Sequence, residues 1–487
     1  AGAVHRSHAS MADFAGELVA FDGIGHGVRG KLGRRSLYTR PPRTYMRRVY
    51  LRALELTLDL TQAALRLAAR AGFVWLDGGQ TYGTEGRWSF LACEPVARVE
   101  APLGAPDALA LLAQLTPAED GHDCAAGPLA PRDVPRWAGA IAYDAHGFQR
   151  AKGLHARAEG MALSFARYRA WLAFDHATHT PYLVGDSESD CADLGRQLAG
   201  PALSAAELVF RATNLSVTPR EAHAEAVRRA LSHVRDGDVY EINLARRFEA
   251  HFSGEPLGLY LAMRELSPVP LGMYYATPEM QLLGRSMERY LRYDATRGRL
   301  WTSPIKGTLA RRELADGTEG AALVADPKEH AEHAMVVDLM RNDLSRVCVP
   351  GSVQIDALME VHAFAGLFHL ISSISGNTRP GVSLHDAVRE TFPPGSVTGT
   401  PKQRALEIIE ALEPAPRGFY TGAYGFADRA GGISLAVAIR TAIVGAGRVS
   451  YWAGGGIVAK SDPLREVAET DLKARMFCDA LAVSTPA

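Results

Sequence analysis

From about Tyr50 the chain switches between apolar spacings of about two and about 3.6 residues, and the switches mark its elements. Leu54, Leu56 and Leu58 stand two apart, as on a strand with one buried face. Thr61 then opens a predicted helix that stops near Gly72, and Val74-Trp75-Leu76 reads as another short strand. Pro117 to Pro135, rich in Pro, Gly, Ala and Asp, predicts a surface connection. Met161 to Val184 predicts a hairpin with Asp175-His176-Ala177-Thr178 near its tip. Strands and helices mix without regular βα alternation, which predicts an α+β fold rather than a doubly wound sheet. Three stretches result: an extension over 1–45, an α+β region over 46–205, and 206–487, where the candidate chemistry lies.

Beyond residue 206 the pattern sharpens. Thr218-Pro219-Arg220-Glu221 has the form of a capping box with proline at the first helical position. Ala226, Val227, Ala230, Leu231 and Val234 follow at helical spacing, and Asp236-Gly237 ends the helix. Asp238 to Phe248 then alternates, with Tyr240, Ile242, Leu244 and Phe248 on one face and Val239, Glu241 and Asn243 on the other. An acid beside an amide either lines a polar site or belongs to a solvated face. Ser303-Pro304-Ile305-Lys306-Gly307-Thr308 reads as a tight turn punctuated by Pro304 and Gly307. Lys306 inside it is either a surface charge or an amine held at a pocket wall, kept partly neutral and nucleophilic by desolvation or neighbouring cations.

Two helices carry carboxylates. Asp326-Pro327-Lys328-Glu329 marks a helix start, with Glu329 in the place of a capping-box partner and Glu332 one turn on. Ser461-Asp462-Pro463 starts another, which sets Glu466, Glu469 and Lys473 on one face. Charged stripes are commonly solvated, yet two of them beside a glycine-rich strand end also suit a hard cation such as Mg²⁺. His330 and His333 come with no HExxH and no cysteine, which weakens zinc. Phe392 to Gln403 is a loop feeding a helix capped by Thr400, whose free N–H groups suit a carboxylate. Ala453-Gly454-Gly455-Gly456 follows a strand and admits a ligand close to backbone. With Lys460-Ser461 it nearly spells a nucleotide loop, but Ala459 stands where glycine is required. Ala436 to Thr441 reads as a buried strand carrying Arg440, a cation in need of a carboxylate partner.

Composition removes several classes of function. The 487 residues hold 53 basic and 54 acidic side chains, so no global field favours nucleic acid or an anionic membrane. Five scattered cysteines without a CxxC pair point to a reducing, cytoplasmic setting and away from a disulfide framework. No apolar run approaches the roughly 18 residues of a spanning helix. Arg29 to Arg48 is arginine-rich and free of acids, while Asp13, Glu17 and Asp22 argue against a transit peptide. Residues 1–45 are therefore expected to form a poorly ordered basic extension.

Read together, GDVYEINLARRF, PIKGT, DPKEHAEHAMVVDLMRNDL, FHLISSISG, TFPPGSVTGTPK, PRGFYTGAYGF, AIRTAI and AGGGIVAKSDPLREVAETDLKA resemble one family. It is that of the chorismate-utilising enzymes: anthranilate, isochorismate, salicylate and aminodeoxychorismate synthases. The resemblance runs from roughly Arg52 to Phe477 and is dense from Gly237 on. Lysine in PIKGT resembles the aminodeoxychorismate synthase component I branch, since the anthranilate and salicylate enzymes carry alanine there. The fold it implies is a large α+β sandwich of orthogonal antiparallel sheets between helical layers. The reaction it implies is amination of chorismate by ammonia to 4-amino-4-deoxychorismate, toward p-aminobenzoate and folate. Lys306 would attack C2, with Glu288 as acid and base at C4. Glu332 and Glu469 match Mg²⁺ ligands, with Glu329 and Glu466 beside them. Tyr420, Arg440, Gly454, Gly456 and Lys473 match carboxylate-binding positions, and His369, Ser396, Thr398 and Glu241 line the substrate site.

Several positions depart from the family pattern. SPE around the acid is Ser286-Met287-Glu288, the residue before His369 is Phe368, and Glu241 stands where salicylate synthases use a lysine base. VWLDGG and GRWSFLACEP resemble the family's tryptophan pocket and make tryptophan a candidate ligand. No cysteine sits in a glutaminase-like turn, so the resemblance implies a separate glutamine amidotransferase subunit as ammonia donor. The alternatives are anthranilate synthase component I chemistry, with amination at C2 and loss of pyruvate, and a non-catalytic tryptophan-binding regulatory subunit.

Overall fold

The structure is a computed structural model that describes residues 47–54, 59–79, 85–116, 122–124, 128–146, 160–310, 327–364 and 367–483. The extension assigned to 1–45, and Leu56 and Leu58 of the first expected strand, lie outside these residues. Thr44–Ala487 forms one compact unit.

Two large sheets organise it. The first runs Phe210–Val217, Glu241–Gly254, Arg448–Ile457, Thr441–Gly445, Gln281–Ser286, Leu271–Ala276, Val74–Asp77, Trp88–Ala92, Ala170–Asp175, Thr180–Gly185 and Arg47–Ala53. The second runs Ile305–Ala310, Leu367–Asn377, Arg299–Ser303, Arg289–Asp294, Ile433–Val437, Ala423–Asp428, Pro135–Ile141, Met161–Arg167 and Ala97–Pro102. The pairings along both runs are antiparallel, and a short parallel contact joins Arg47–Ala53 to His122–Cys124 at one edge. In each sheet the strands beyond residue 206 form one run and those before it another, joined where Leu271–Ala276 pairs with Val74–Asp77 and Ala423–Asp428 with Pro135–Ile141, so the α+β architecture is a single sandwich.

Layering follows from which face each strand buries. Val74, Leu76, Phe90, Ala138, Ala140, Ala166, Met273, Tyr424 and Ala436 form a core between the sheets. On the outer side of the first sheet, Phe248, Phe252, Tyr274 and Tyr451 meet the helices Leu60–Leu67, Pro256–Leu266 and Pro463–Ala482. The helix Leu384–Thr391 covers the second sheet through Leu384, Ala387 and Val388. Each large side chain fully removed from water contributes about 1.5–3 kcal/mol. Among the described residues no helix is long and apolar enough to cross a membrane.

Several local expectations change. The first helix starts at Leu60 under an Asp59 cap rather than at Thr61. Met161 to Val184 is not one hairpin, because Met161–Arg167 belongs to the second sheet and only Ala170–Asp175 and Thr180–Gly185 pair as the arms. Thr218 caps nothing. Pro219 takes the cap position of the helix Arg220–Arg235, while the Thr218 hydroxyl accepts the Arg247 N–H. Thr400 likewise pairs with Glu241 in a short strand and leaves Pro401 to precede the helix Lys402–Leu412.

Candidate active site

The strand Glu241–Gly254 has no solvated face at its start. Ile242 and Leu244 pack under the helices Arg220–Arg235 and Lys402–Leu412. Glu241 and Asn243, 5% and 8% exposed, point the other way into a polar site. Tyr240, placed on the apolar face by its spacing, precedes the strand and is exposed.

Beside it runs Arg448–Ile457, with Asn243 opposite Gly456 and Ala245 opposite Gly454. The glycines thus lie within this strand rather than after it, because their neighbours keep the ladder's register. Alternation sends Gly454 and Gly456 to one face and Gly455 to the other. A Cβ at Gly456 would stand 2.5 Å from Glu241 Oε1 and 3.3 Å from Lys306 Nζ. One at Gly455 would stand 3.2 Å from both Glu466 Oε2 and Glu469 Oε1. One at Gly454 would stand 2.8 Å from the Tyr420 hydroxyl. The triplet is therefore a wall of backbone alone, with two carboxylates on one side and the amine on the other.

Lys306 is not on a tight turn. It sits in the strand Ile305–Ala310, where the register against Leu367–Asn377 shifts between Lys306 and Thr308 and Gly307 takes φ +71°. Such a bulge re-aims a side chain, and glycine supplies the left-handed conformation without strain. Lys306 Nζ donates to Glu241 Oε1 at 2.9 Å. Burial works to lower its pKa, but Glu241 first, then Glu332 and Glu288, outweigh it and raise the pKa. The freed Gly307 carbonyl accepts a hydrogen bond from His369 Nδ1 at 3.0 Å. Burial pushes His369 down to about 4, so the ring is neutral at pH 7.

Glu288 lies in the bend between Gln281–Ser286 and Arg289–Asp294, 4% exposed, its N–H on the Ser286 hydroxyl at 3.2 Å. Burial pushes its carboxyl up to about 7, against the pull of Ser396, Lys306 and Lys473. Its Oε1, the Ser396 hydroxyl and Asn243 Oδ1 are buried with no hydrogen-bond partner among the described residues. Ser396 is thus near enough to act on Glu288 without the geometry of a completed bond. Idle buried polar atoms of this kind are uncommon and mark a place for a ligand or water.

Lys473 donates to the Gly454 carbonyl at 2.9 Å and pairs with Glu469 at 2.7 Å. Tyr420 stacks on Trp452 with centroids 5.9 Å apart. Arg440 is not in a buried strand. It is half-buried in the crossing from Ile433–Val437 in one sheet to Thr441–Gly445 in the other, at φ +50°. A non-glycine residue there costs on the order of 1 kcal/mol. Among the described residues no acid pairs with its guanidinium. Thr398 turns its hydroxyl inward onto the Pro394 and Gly395 carbonyls, which removes it from direct contact with a substrate.

The side chain of Glu329 lies outside the description, and Glu332 is part-buried on the helix Pro327–Ser345. Among the described residues no three acids, histidines or cysteines converge as a metal site. Glu466 and Glu469 over Gly455 nevertheless form an oxygen-only pair of the kind a hard cation takes.

Spacing did not reveal the frame beneath. Arg417 engages both oxygens of Glu413, the Val397 and Asn243 carbonyls and the Thr421 hydroxyl. Lys402 holds the 392–403 loop through Asp343 at 2.6 Å and the Thr391 and Pro393 carbonyls. The four-residue spacing of Glu413 and Arg417 was the available signal for the first.

A second cavity of about 730 Å³ is lined by Asp77, Trp88, Phe90, Arg289, Trp301 and Phe426 among others. VWLDGG and GRWSFLACEP supply part of its wall.

The sequence profile of the chorismate binding enzymes matches residues 80–479, and the chain belongs to that family. It is 40% identical over 276 residues to anthranilate synthase component 1 of Synechocystis sp., covering 55% of this chain and 54% of that one. It is 36% identical over 353 residues to an aminodeoxychorismate synthase of Streptomyces pristinaespiralis, covering 69% and 48%. The chain spans about half the length of these curated relatives. Anthranilate synthase component I from Streptococcus pneumoniae superposes with TM-score 0.71 at 27% identity, covering 82% of this chain and 93% of that one.

Proposed function

We propose that the protein is the chorismate-aminating component of an aminodeoxychorismate synthase, forming 4-amino-4-deoxychorismate with ammonia from a separate glutamine amidotransferase. The observation that carries this reading is a largely shielded lysine amine at position 306, in the wall of the site that also holds Glu288. Lys306 attacks C2 while the C4 hydroxyl leaves, and ammonia then adds at C4 and expels the lysine. Splitting one displacement into two in this way is the use of a nucleophile. Glu288, with a pKa of about 7, is poised to give a proton to the leaving hydroxyl and to recover one from the incoming amine. Tyr420, Arg440 and Lys473 hold the carboxylates, and neutral His369 abuts the ring.

Glu466 and Glu469, with Glu332 and Glu329 from the helix Pro327–Ser345, would hold Mg²⁺. When bound, it supplies positive charge to the ring carboxylate. Tryptophan is the proposed ligand of the second cavity, to be tested by calorimetric titration.

One observation favours a second reading: relatives named anthranilate synthase match as well as those named aminodeoxychorismate synthase. Incubation with chorismate, Mg²⁺ and ammonium, followed by mass spectrometry, separates the two. Release of 4-amino-4-deoxychorismate supports the proposal; release of anthranilate without an added lyase overturns it.

A further inference from the structure

We propose that Glu241 is the proton acceptor that turns the Lys306 ammonium into a nucleophile, and the store from which that proton returns after turnover. The inference rests on the function proposed above and adds a catalytic residue to it. Lys306 Nζ makes a single hydrogen bond among the described residues, to Glu241 Oε1 at 2.9 Å. Both side chains are largely shielded, at 16% and 6% exposure. Gly456 fixes the pair in place, since any side chain there would collide with Glu241. Glu241 is itself held by strand pairing on both sides, through Thr400 and through the Ile242–Ile457 rung.

The other charged groups facing this amine are Glu288 from the bend after Gln281–Ser286 and Glu332 from the helix Pro327–Ser345. His333, on the same helix, feels the Lys306 charge. All three acids hold the lysine protonated, and an ammonium has no lone pair with which to attack. Among the described residues Glu241 alone is within hydrogen-bond distance to remove the proton.

The protons then balance. Glu241 takes one from Nζ, and the neutral amine bonds to C2 as the C4–O bond breaks. Glu288 protonates the departing hydroxyl, which leaves as water. Ammonia bonds to C4, the C2–N bond breaks, and the lysine departs as neutral amine. Glu288 takes the surplus proton from the new C4 ammonium, and Glu241 returns its own to Lys306.

The test is Glu241→Gln, which keeps shape and removes the base. Turnover of chorismate with ammonium and Mg²⁺ is expected to fall about 10²–10³-fold at pH 7. With total ammonium adjusted to hold free ammonia constant, the variant's rate is expected to climb close to tenfold per unit between about pH 5.5 and 7, where the wild-type rate is flat. Acylation of Lys306 by acetic anhydride, read by peptide mass spectrometry, is expected to accelerate in the variant, because its amine has lost its anionic partner. Turnover and acylation thus move in opposite directions, which a packing defect does not produce. Turnover within about threefold of wild type, or a loss with no change in acylation, would overturn the proposal. The wild-type product judges the reaction and the acylation arm judges the pair, so the two failures are told apart.

Discussion

Two buried ion pairs flank the same strand, and they differ in how completely they are satisfied. Arg417 uses all five of its N–H donors, on Glu413, two carbonyls and a hydroxyl. Among the described residues Lys306 uses one donor, on Glu241, while Glu288, Asn243 and Ser396 close by keep idle polar atoms. A closed network fixes one arrangement and has nothing left for a ligand. An open one is tolerable in a folded protein when something else completes it. The contrast separates scaffold from site without reference to any relative.

Removing each member sharpens the difference. Lys306→Ala is expected to lower C4 amination on the order of 10⁴-fold, measured as product by mass spectrometry, with a smaller loss of stability than a change in the closed network. Arg417→Met should show the reverse. It strands Glu413 in the interior and is expected to cost about 3–5 kcal/mol in urea unfolding.

Smaller effects follow from the acid and the wall. Burial raises Glu288 to about 7, so its acid form persists to neutrality and is lost as pH rises through that value. At constant free ammonia, activity is therefore expected to decline on the alkaline side of about pH 7 in the wild type. Glu288→Gln should abolish that limb and lower turnover by about 10²–10³-fold. Gly456→Ala is expected to push Glu241 off Lys306 and lower turnover about tenfold, a positional loss. A steady-state rate equal to wild type would place the wall elsewhere.

Much of this was legible in the chain. The period of two across Asp238 to Phe248 put Glu241 and Asn243 on one face, and the helix spacing of Glu466, Glu469 and Lys473 held. What failed was local punctuation read without its partner strand. Pro304 and Gly307 suggest a turn, whereas pairing with Leu367–Asn377 makes Gly307 the bulged residue of a strand that begins just after Pro304. The glycine triplet suggested a loop, whereas Asn243 and Ala245 opposite keep it in the ladder. Arg440 reads as a strand residue because its neighbours are apolar on both sides. Those neighbours belong to two different sheets, and no local pattern announces a crossing.

The most direct measurement is mass spectrometry of protein quenched after exposure to chorismate and Mg²⁺ without ammonia. The expected result is an adduct of chorismate less water on the peptide that carries Lys306, cleared when ammonium is added. A Lys306 left unmodified in protein that still converts chorismate once ammonium is supplied would contradict the covalent route.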